Sequence, residues 1–185
     1  MVLEYWRIIV VTHEEMQTVF LSILQWLVNI PFSAMFRIEG DSMLPLLKDG
    51  EFVLIVRTRF RWNRLRRGDV ALFERPQSGP LGARGISTKR VIGLPGEDIT
   101  IADGKIYIDG RLLNGNYQRA CPNQADGEWF NGQEEYFFMG DNLCYSTDSR
   151  NYGPVDVISV KGKVWLRCWP LSRLQPFGRE PADAS

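Results

Sequence analysis

From Phe36 onward the chain is a succession of short apolar runs, each closed by residues that turn the backbone. Glu51 to Val56, Val70 to Phe73, Thr88 to Ile92, Asp98 to Ile101, Lys105 to Ile108, Tyr136 to Met139 and Val157 to Leu166 are such runs. Between them stand Asp49-Gly50, Pro95-Gly96, Asp103-Gly104, Asp109-Gly110 and Asn114-Gly115, several of them hairpin dipeptides. The 17 glycines and 10 prolines in 185 residues suit many short strands joined by tight turns better than long helices. A mainly β fold built on antiparallel sheet is expected, with residues 102 to 134 as an excursion from the main sheet. There is no internal repeat.

Composition removes several function classes. Lys plus Arg number 22, as do Asp plus Glu, so the chain is formally neutral. A general nucleic-acid binder would carry a basic excess, and nucleic acid is not an expected partner. The 44% hydrophobic content supports a packed core and excludes wholesale disorder. One histidine, His13, and three cysteines, Cys121, Cys144 and Cys168, cannot assemble a zinc-type ligand set, and neither a metal nor another cofactor is expected. Three thiols allow at most one intramolecular disulfide, which leaves the redox compartment open.

Ahead of the β pattern lie 21 consecutive uncharged residues, Met16 to Phe36. Thr12-His13-Glu14-Glu15 fits a capping box, and Pro31 stops a helix, so a hydrophobic helix is expected over about 13–31. At ~1.5 Å per residue it is roughly 26 Å long, just short of a ~30 Å hydrocarbon core. Thr18, Ser22, Gln25 and Asn29 recur along one face. A membrane span, an in-plane amphipathic helix and a buried soluble helix all fit this pattern. The expected organisation is an anchor segment over 1–35, a β domain over 36–170 and a disordered tail over 171–185.

Four local signals follow in order: Gly40-Asp41-Ser42-Met43-Leu44-Pro45, Arg67-Gly68-Asp69-Val70, Lys89-Arg90-Val91-Ile92-Gly93-Leu94-Pro95-Gly96-Glu97, and Gly140-Asp141-Asn142 with Ser146-Thr147-Asp148-Ser149-Arg150. Each alone is an ordinary turn or surface sequence. Together, in this order and spacing, they resemble the boxes of type I signal peptidases, the Ser-Lys proteases of the S26 family. The resemblance covers about residues 36 to 168.

A serine hydroxyl needs a base, and a lysine at its ordinary pKa of ~10.4 is protonated at neutral pH. Burial disfavours the ammonium and can lower that value by up to ~3–5 units, freeing the amine to act as general base. Lys89, within Thr88-Lys89-Arg90-Val91-Ile92, suits a strand that aims it inward while Arg90 faces the other way. The resemblance implies Ser42 as nucleophile, Lys89 as base, Ser146 as the hydroxyl that orients the lysine, and Asp148 with Arg150 as an ion pair bracing the site. It also implies an oxyanion hole formed by the Ser42 N–H and a second donor at position 40, where many relatives have serine and this chain has Gly40. Ile38 and Met43, flanking the nucleophile, are candidates for shallow pockets that admit only small side chains. Cys144, two residues before Ser146, is expected to make the site sensitive to oxidation.

The resemblance thus implies a membrane-anchored endopeptidase, its catalytic domain outside the cytoplasm, that removes signal peptides bearing small residues at −1 and −3. The substrate would bind extended, adding a strand to a sheet edge. A dedicated peptidase of the same family, for conjugative transfer or enzyme maturation, shares every motif. A self-cleaving repressor of the SOS type also uses serine and lysine, but needs an amino-terminal DNA-binding domain for which the first 35 residues have no pattern. An inactive peptide-binding β domain has no need of Ser42, Lys89 and Ser146 together. Arg57, Arg59, Arg61, Arg64, Arg66 and Arg67, interleaved with Phe60 and Trp62, fit a lipid-facing loop, a solvated hairpin or, less well, a nucleic-acid contact.

Overall fold

The computed structural model describes residues 33–57, 64–76, 85–113 and 126–177. The chain divides at Ser33/Ala34, and the unit described is the second. The expected helix over 13–31, together with Cys121 and residues 58–63 of the arginine-rich stretch, lies outside the described residues. Among the described residues no helix is long and apolar enough to cross a membrane.

Twelve strands are present among the described residues: β1 (Ser33–Arg37), β2 (Phe52–Val56), β3 (Val70–Glu74), β4 (Ile86–Gly93), β5 (Asp98–Ala102), β6 (Lys105–Ile108), β7 (Arg111–Leu112), β8 (Gly127–Phe130), β9 (Glu135–Met139), β10 (Val155–Asp156), β11 (Val160–Trp169) and β12 (Gln175–Pro176). The only α-helix among the described residues is α1 (Ser149–Tyr152). The main sheet runs β1-β2-β11-β3-β4-β9-β10, with β12 paired to β11. A second sheet runs β7-β6-β5-β8. All pairings between described strands from β2 onward are antiparallel, as the turn-punctuated sequence requires.

Both faces of the central strands are buried, and alternation sorts their residues. On β3, Val70 and Leu72 join one core with Ile38, Met43, Leu47, Val53, Ile55 and Val164. Ala71 and Phe73 point to the other face and pack with Val91, Tyr136, Phe138 and Val155. Phe73 and Phe138 stack with centroids 4.3 Å apart, and each, fully buried, contributes about 1.5–3 kcal/mol through burial. A third cluster, Ile92, Ile99, Ile101, Ile106, Ile108, Phe137 and Met139, seats the second sheet on β4 and β9.

Two expectations change. The excursion from the main sheet is a sheet in its own right and starts at Asp98, four residues before the expected start, because β5 pairs with β6 and β8. Its tight turns at Asp103-Gly104 and Asp109-Gly110 have all four residues at positive φ, which glycine and aspartate tolerate best. The tail is not disordered from residue 171. Leu171–Arg173 form a 3₁₀ turn, β12 pairs with β11, and Phe177 packs on the first core. Long-range polar contacts override the proline-rich composition there. Arg173 pairs with Glu51, and Gln175 accepts from Arg167 at 2.6 Å.

Candidate active site

The loop between β1 and β2 carries Ser42. Its neck is closed by Ile38 N–H to Glu51 O at 2.8 Å and Gly50 N–H to Ile38 O at 2.9 Å. Inside it, Leu44 N–H donates to Asp41 O and Leu47 N–H to Met43 O, giving a tight local turn. From one side Asn142 holds the loop, its N–H on Ser42 O at 3.0 Å and its Nδ2 on Asp41 O at 3.1 Å. From the other side Arg167 donates to Leu46 O and Arg173 to the carbonyls of Pro45 and Leu46. Glu51, 4% exposed, balances these guanidiniums and accepts from Lys48 N–H. The nucleophile loop is therefore held by two polar brackets, one from each side.

Lys89 lies on β4 opposite Ala71 of β3, on the face of the second core. It is 4% exposed, and its Nζ donates to Ser42 Oγ at 2.5 Å and to Thr88 O at 3.2 Å. Burial lowers its pKa from 10.5 to about 8, against the opposing pull of the Asp148 and Asp141 carboxylates and with help from the Arg75 and Arg150 cations. Two residues 47 apart in sequence thus meet as a hydroxyl and a buried, weakly basic amine. Such a pair can move a proton from oxygen to nitrogen near neutral pH.

Arg90, one residue on, turns to the opposite face as alternation demands. Its Nε and Nη2 form a bidentate pair with Asp141, both at 2.7 Å, and its Nη1 donates to Gly68 O. Arg67 forms a second fork with Glu97 and also donates to Ile92 O. The sequence boxes are therefore tied to one another by charge-assisted hydrogen bonds, which fix register as well as contributing energy.

Asp148 and Arg150 form the expected ion pair, Nε to Oδ1 at 2.7 Å and Nη2 to Oδ2 at 2.8 Å. Asp148 is fully buried, caps α1, and accepts from Gly140 N–H at 2.9 Å. Arg150 also donates to Leu143 O. Ser146 reaches the site, but its Oγ is buried without a hydrogen-bond partner, so the expected contact with Lys89 is not made. The Lys89 amine is engaged instead by Ser42 Oγ and Thr88 O.

Of the two oxyanion donors expected, the Gly40 N–H is already committed to Asp49 Oδ1 at 2.8 Å. Only the Ser42 N–H has no acceptor among the described residues. Gly40 itself sits at φ +76°, a conformation that explains glycine at this position. Ile38 and Met43, 2% and 1% exposed, are core residues beneath the loop and can form only the floor of a depression, not its rim. Cys144 is disulfide-bonded, so the oxidation-sensitive thiol is absent, whereas Cys168 is a thiol that donates to Phe52 O.

Sequence reasoning missed Asn142 and Gly140 as individuals, although both stand in a quoted box. A methyl group on Gly140 would lie 2.5 Å from Ser42 O and overlap Ser146 Oγ. Gly140→Ala is therefore expected to fold yet lose about 10²-fold or more in kcat, since displacing the nucleophile by about an ångström costs that much. Cleavage kinetics beside a melting curve check this; wild-type kcat would show that the loop tolerates the shift.

The family model described as signal peptidase, peptidase S26, matches residues 11–169. Signal peptidase I of Leptolyngbya laminosa is 32% identical over 175 residues, covering 91% of this chain and 85% of that protein. Signal peptidase IB of Staphylococcus aureus is 26% identical over 183 residues, covering 83% and 93%. Signal peptidase I V of Bacillus subtilis is 29% identical over 143 residues, covering 70% and 82%. The match spans the Ser42 loop, Lys89 and the Asp148–Arg150 bracket alike, and the chain belongs to the signal peptidase family, peptidase S26.

Proposed function

We propose that this serine endopeptidase removes signal peptides from exported preproteins with Ser42 as nucleophile and Lys89 as general base. The observation that carries the reading is the 2.5 Å approach of Lys89 Nζ to Ser42 Oγ in a buried setting that depresses the amine pKa. The neutral amine takes the Ser42 proton as Oγ attacks the scissile carbonyl, and returns it to the leaving amine; water then hydrolyses the acyl-enzyme by the same route. The unoccupied Ser42 N–H is the donor available to the oxyanion. Ser146, a buried hydroxyl without a partner, is suited to receive the lysine amine once the proton has moved, since catalytic hydrogen bonds often tighten only in the substrate complex.

Substrate recognition follows from the sheet. Ile86 to Thr88 of β4 pair with β3 on one side, while β9 pairs with β4 only from Arg90 onward. The side of this half-strand that no described strand pairs can accept an extended peptide. A floor of Ile38 and Met43 so close beneath the loop makes any side-chain pocket shallow, which favours small residues at −1 and −3 of the signal peptide. Anchoring to the membrane through the uncharged run Met16 to Phe36, with the β domain outside the cytoplasm, completes the reading.

The test is cleavage of a preprotein with an Ala-x-Ala site by purified protein in detergent. Cleavage after the second alanine by the wild type, and none by Ser42→Ala, is the expected result. Equal cleavage by the two proteins would overturn it.

A further inference from the structure

Arg75 makes none of the contacts described above, although its charge acts on Lys89. It follows β3, its N–H donates to Gly85 O at 2.9 Å, and the β3–β4 register continues to it from Ala71 opposite Lys89 and Phe73 opposite Ser87. Alternation therefore puts Arg75, Phe73 and Ala71 on the same sheet face as Gly85, Ser87 and Lys89. The guanidinium lies over Gly85, where any Cβ would overlap it. Its Nε is buried and has no hydrogen-bond partner, and Arg75 forms no salt bridge with any described carboxylate. Lys89 turns its amine back toward this end of β4, onto Thr88 O. An arginine keeps its charge in all such settings, so an unpaired guanidinium on this face imposes positive potential on its neighbours.

We propose that Arg75 is a positioning residue for the reaction: its unpaired charge, set on the Lys89 side of the sheet, adds to burial in disfavouring the lysine ammonium and makes the amine readier to act as base. The inference rests on the Ser42–Lys89 reading. The other groups acting on the amine are Ser42 from the nucleophile loop, Asp141 from the segment after β9, and Asp148 and Arg150 from α1 and its cap. The two carboxylates favour the ammonium, yet each is already paired, Asp141 with Arg90 and Asp148 with Arg150. Arg75 has no such partner, and its charge acts on both Lys89 and Tyr152. A sequence reading has no means of finding it, because an arginine before Pro76 at the end of a strand looks like any surface cation.

The sign is definite. A cation near an amine disfavours its protonation, so removing Arg75 raises the pKa of Lys89 and moves the acid limb of kcat/KM to higher pH. Arg75 faces Gly85, four strand residues from Lys89 or roughly 13 Å along the sheet, and at an effective dielectric of about 20 the limb should move up by about half a pH unit to one unit. At pH 6.5 that is a loss of roughly three- to tenfold in kcat/KM.

The experiment measures kcat/KM for Ala-x-Ala preprotein cleavage from pH 5.5 to 10 for the full chain in detergent, with Arg75→Met, Arg75→Gln and Arg75→Lys beside the wild type. The midpoint of the limb is read independently of plateau height. An upward shift in Met and Gln, restored by Lys, is expected. Two uncharged variants of different polarity guard against one that fails to fold, which circular dichroism detects. An unmoved midpoint in either folded variant overturns the proposal, as does a change confined to KM, which would make Arg75 a substrate contact. Lys89→Met reports separately: if it cleaves, the dyad reading itself fails, whatever Arg75 does.

Discussion

Lys89→Met is expected to abolish preprotein cleavage and, at neutral pH, to raise the melting temperature. The first effect follows from geometry. Ser42 Oγ has the lysine amine at 2.5 Å, and no other side-chain base is hydrogen-bonded to it among the described residues, so loss of the amine leaves the hydroxyl without a proton acceptor. Removing one member of a nucleophile–base unit costs about as much as removing the unit, here at least ~10³-fold in kcat. The second effect follows from linkage. Lys89 titrates at about 8 when folded and at 10.5 in its ordinary state, so below pH 8 both states hold the proton and the folded chain bears the full cost of burying it. At about 1.4 kcal/mol per unit, the cost of burying this lysine at pH 7 is roughly 3–4 kcal/mol, before subtracting its two hydrogen bonds. Methionine fills similar space without that cost, and a rise of several degrees in Tm is expected at pH 7. The gain should fade as pH rises from 8 to 10.5, where both states of the wild type lose the proton. The same depressed pKa gives wild-type kcat/KM an acid limb, rising tenfold per pH unit to a plateau above about 8. A variant that is inactive but no more stable than wild type would show that desolvation does not set the lysine's basicity.

The residues just discussed divide by how far a sequence reading can see them. Asp103-Gly104 and Asp109-Gly110 announced their turns because positive φ is a local demand that few residue types meet, and the strands between them followed. The aim of Lys89 to one sheet face and of Arg90 to the other was legible for a similar reason, since period-two alternation is local. The meeting of Ser42 with Lys89 was not local, and only the resemblance of whole boxes implied it. Where both aids stop, legibility stops. Arg173 reaches Glu51 across 122 residues, and no compositional rule distinguishes a proline-bearing tail that docks from one that does not. Arg75 and Asn142 act through their placement on a sheet face and beside a loop, which depends on register rather than on residue type. Ser146 shows the opposite failure: its box matched, but a matched motif does not state which hydrogen bonds a given state of the site has formed.

Asp148→Ala is expected to be the most destabilising single change among the polar residues around the site, at about 4 kcal/mol. The carboxylate is fully buried and its acceptor capacity is spent on four donors: Gly140 N–H, Arg150 N–H, and the Nε and Nη2 of the Arg150 guanidinium. It also caps α1 in a reciprocal box with Asn151. Alanine leaves a guanidinium that is largely enclosed without its carboxylate, which by itself costs about 3–5 kcal/mol in buried pairs. Loss of the cap accounts for about 1 kcal/mol within that range. Because Arg150 also donates to Leu143 O, the freed side chain loosens the segment that leads to Ser146, and kcat should fall with stability. Asp148→Asn preserves one acceptor and the helix cap but not the charge, and should lie between alanine and wild type. The decisive comparison is the double variant Asp148→Ala/Arg150→Ala. If the cost is mainly an uncompensated cation, removing that cation as well should recover about 2 kcal/mol relative to the sum of the single changes. Urea denaturation at pH 7 measures all four proteins. Strict additivity would place the energy of Asp148 in its contacts to Gly140 and the α1 cap, and would leave the ion pair as a fixture of geometry alone.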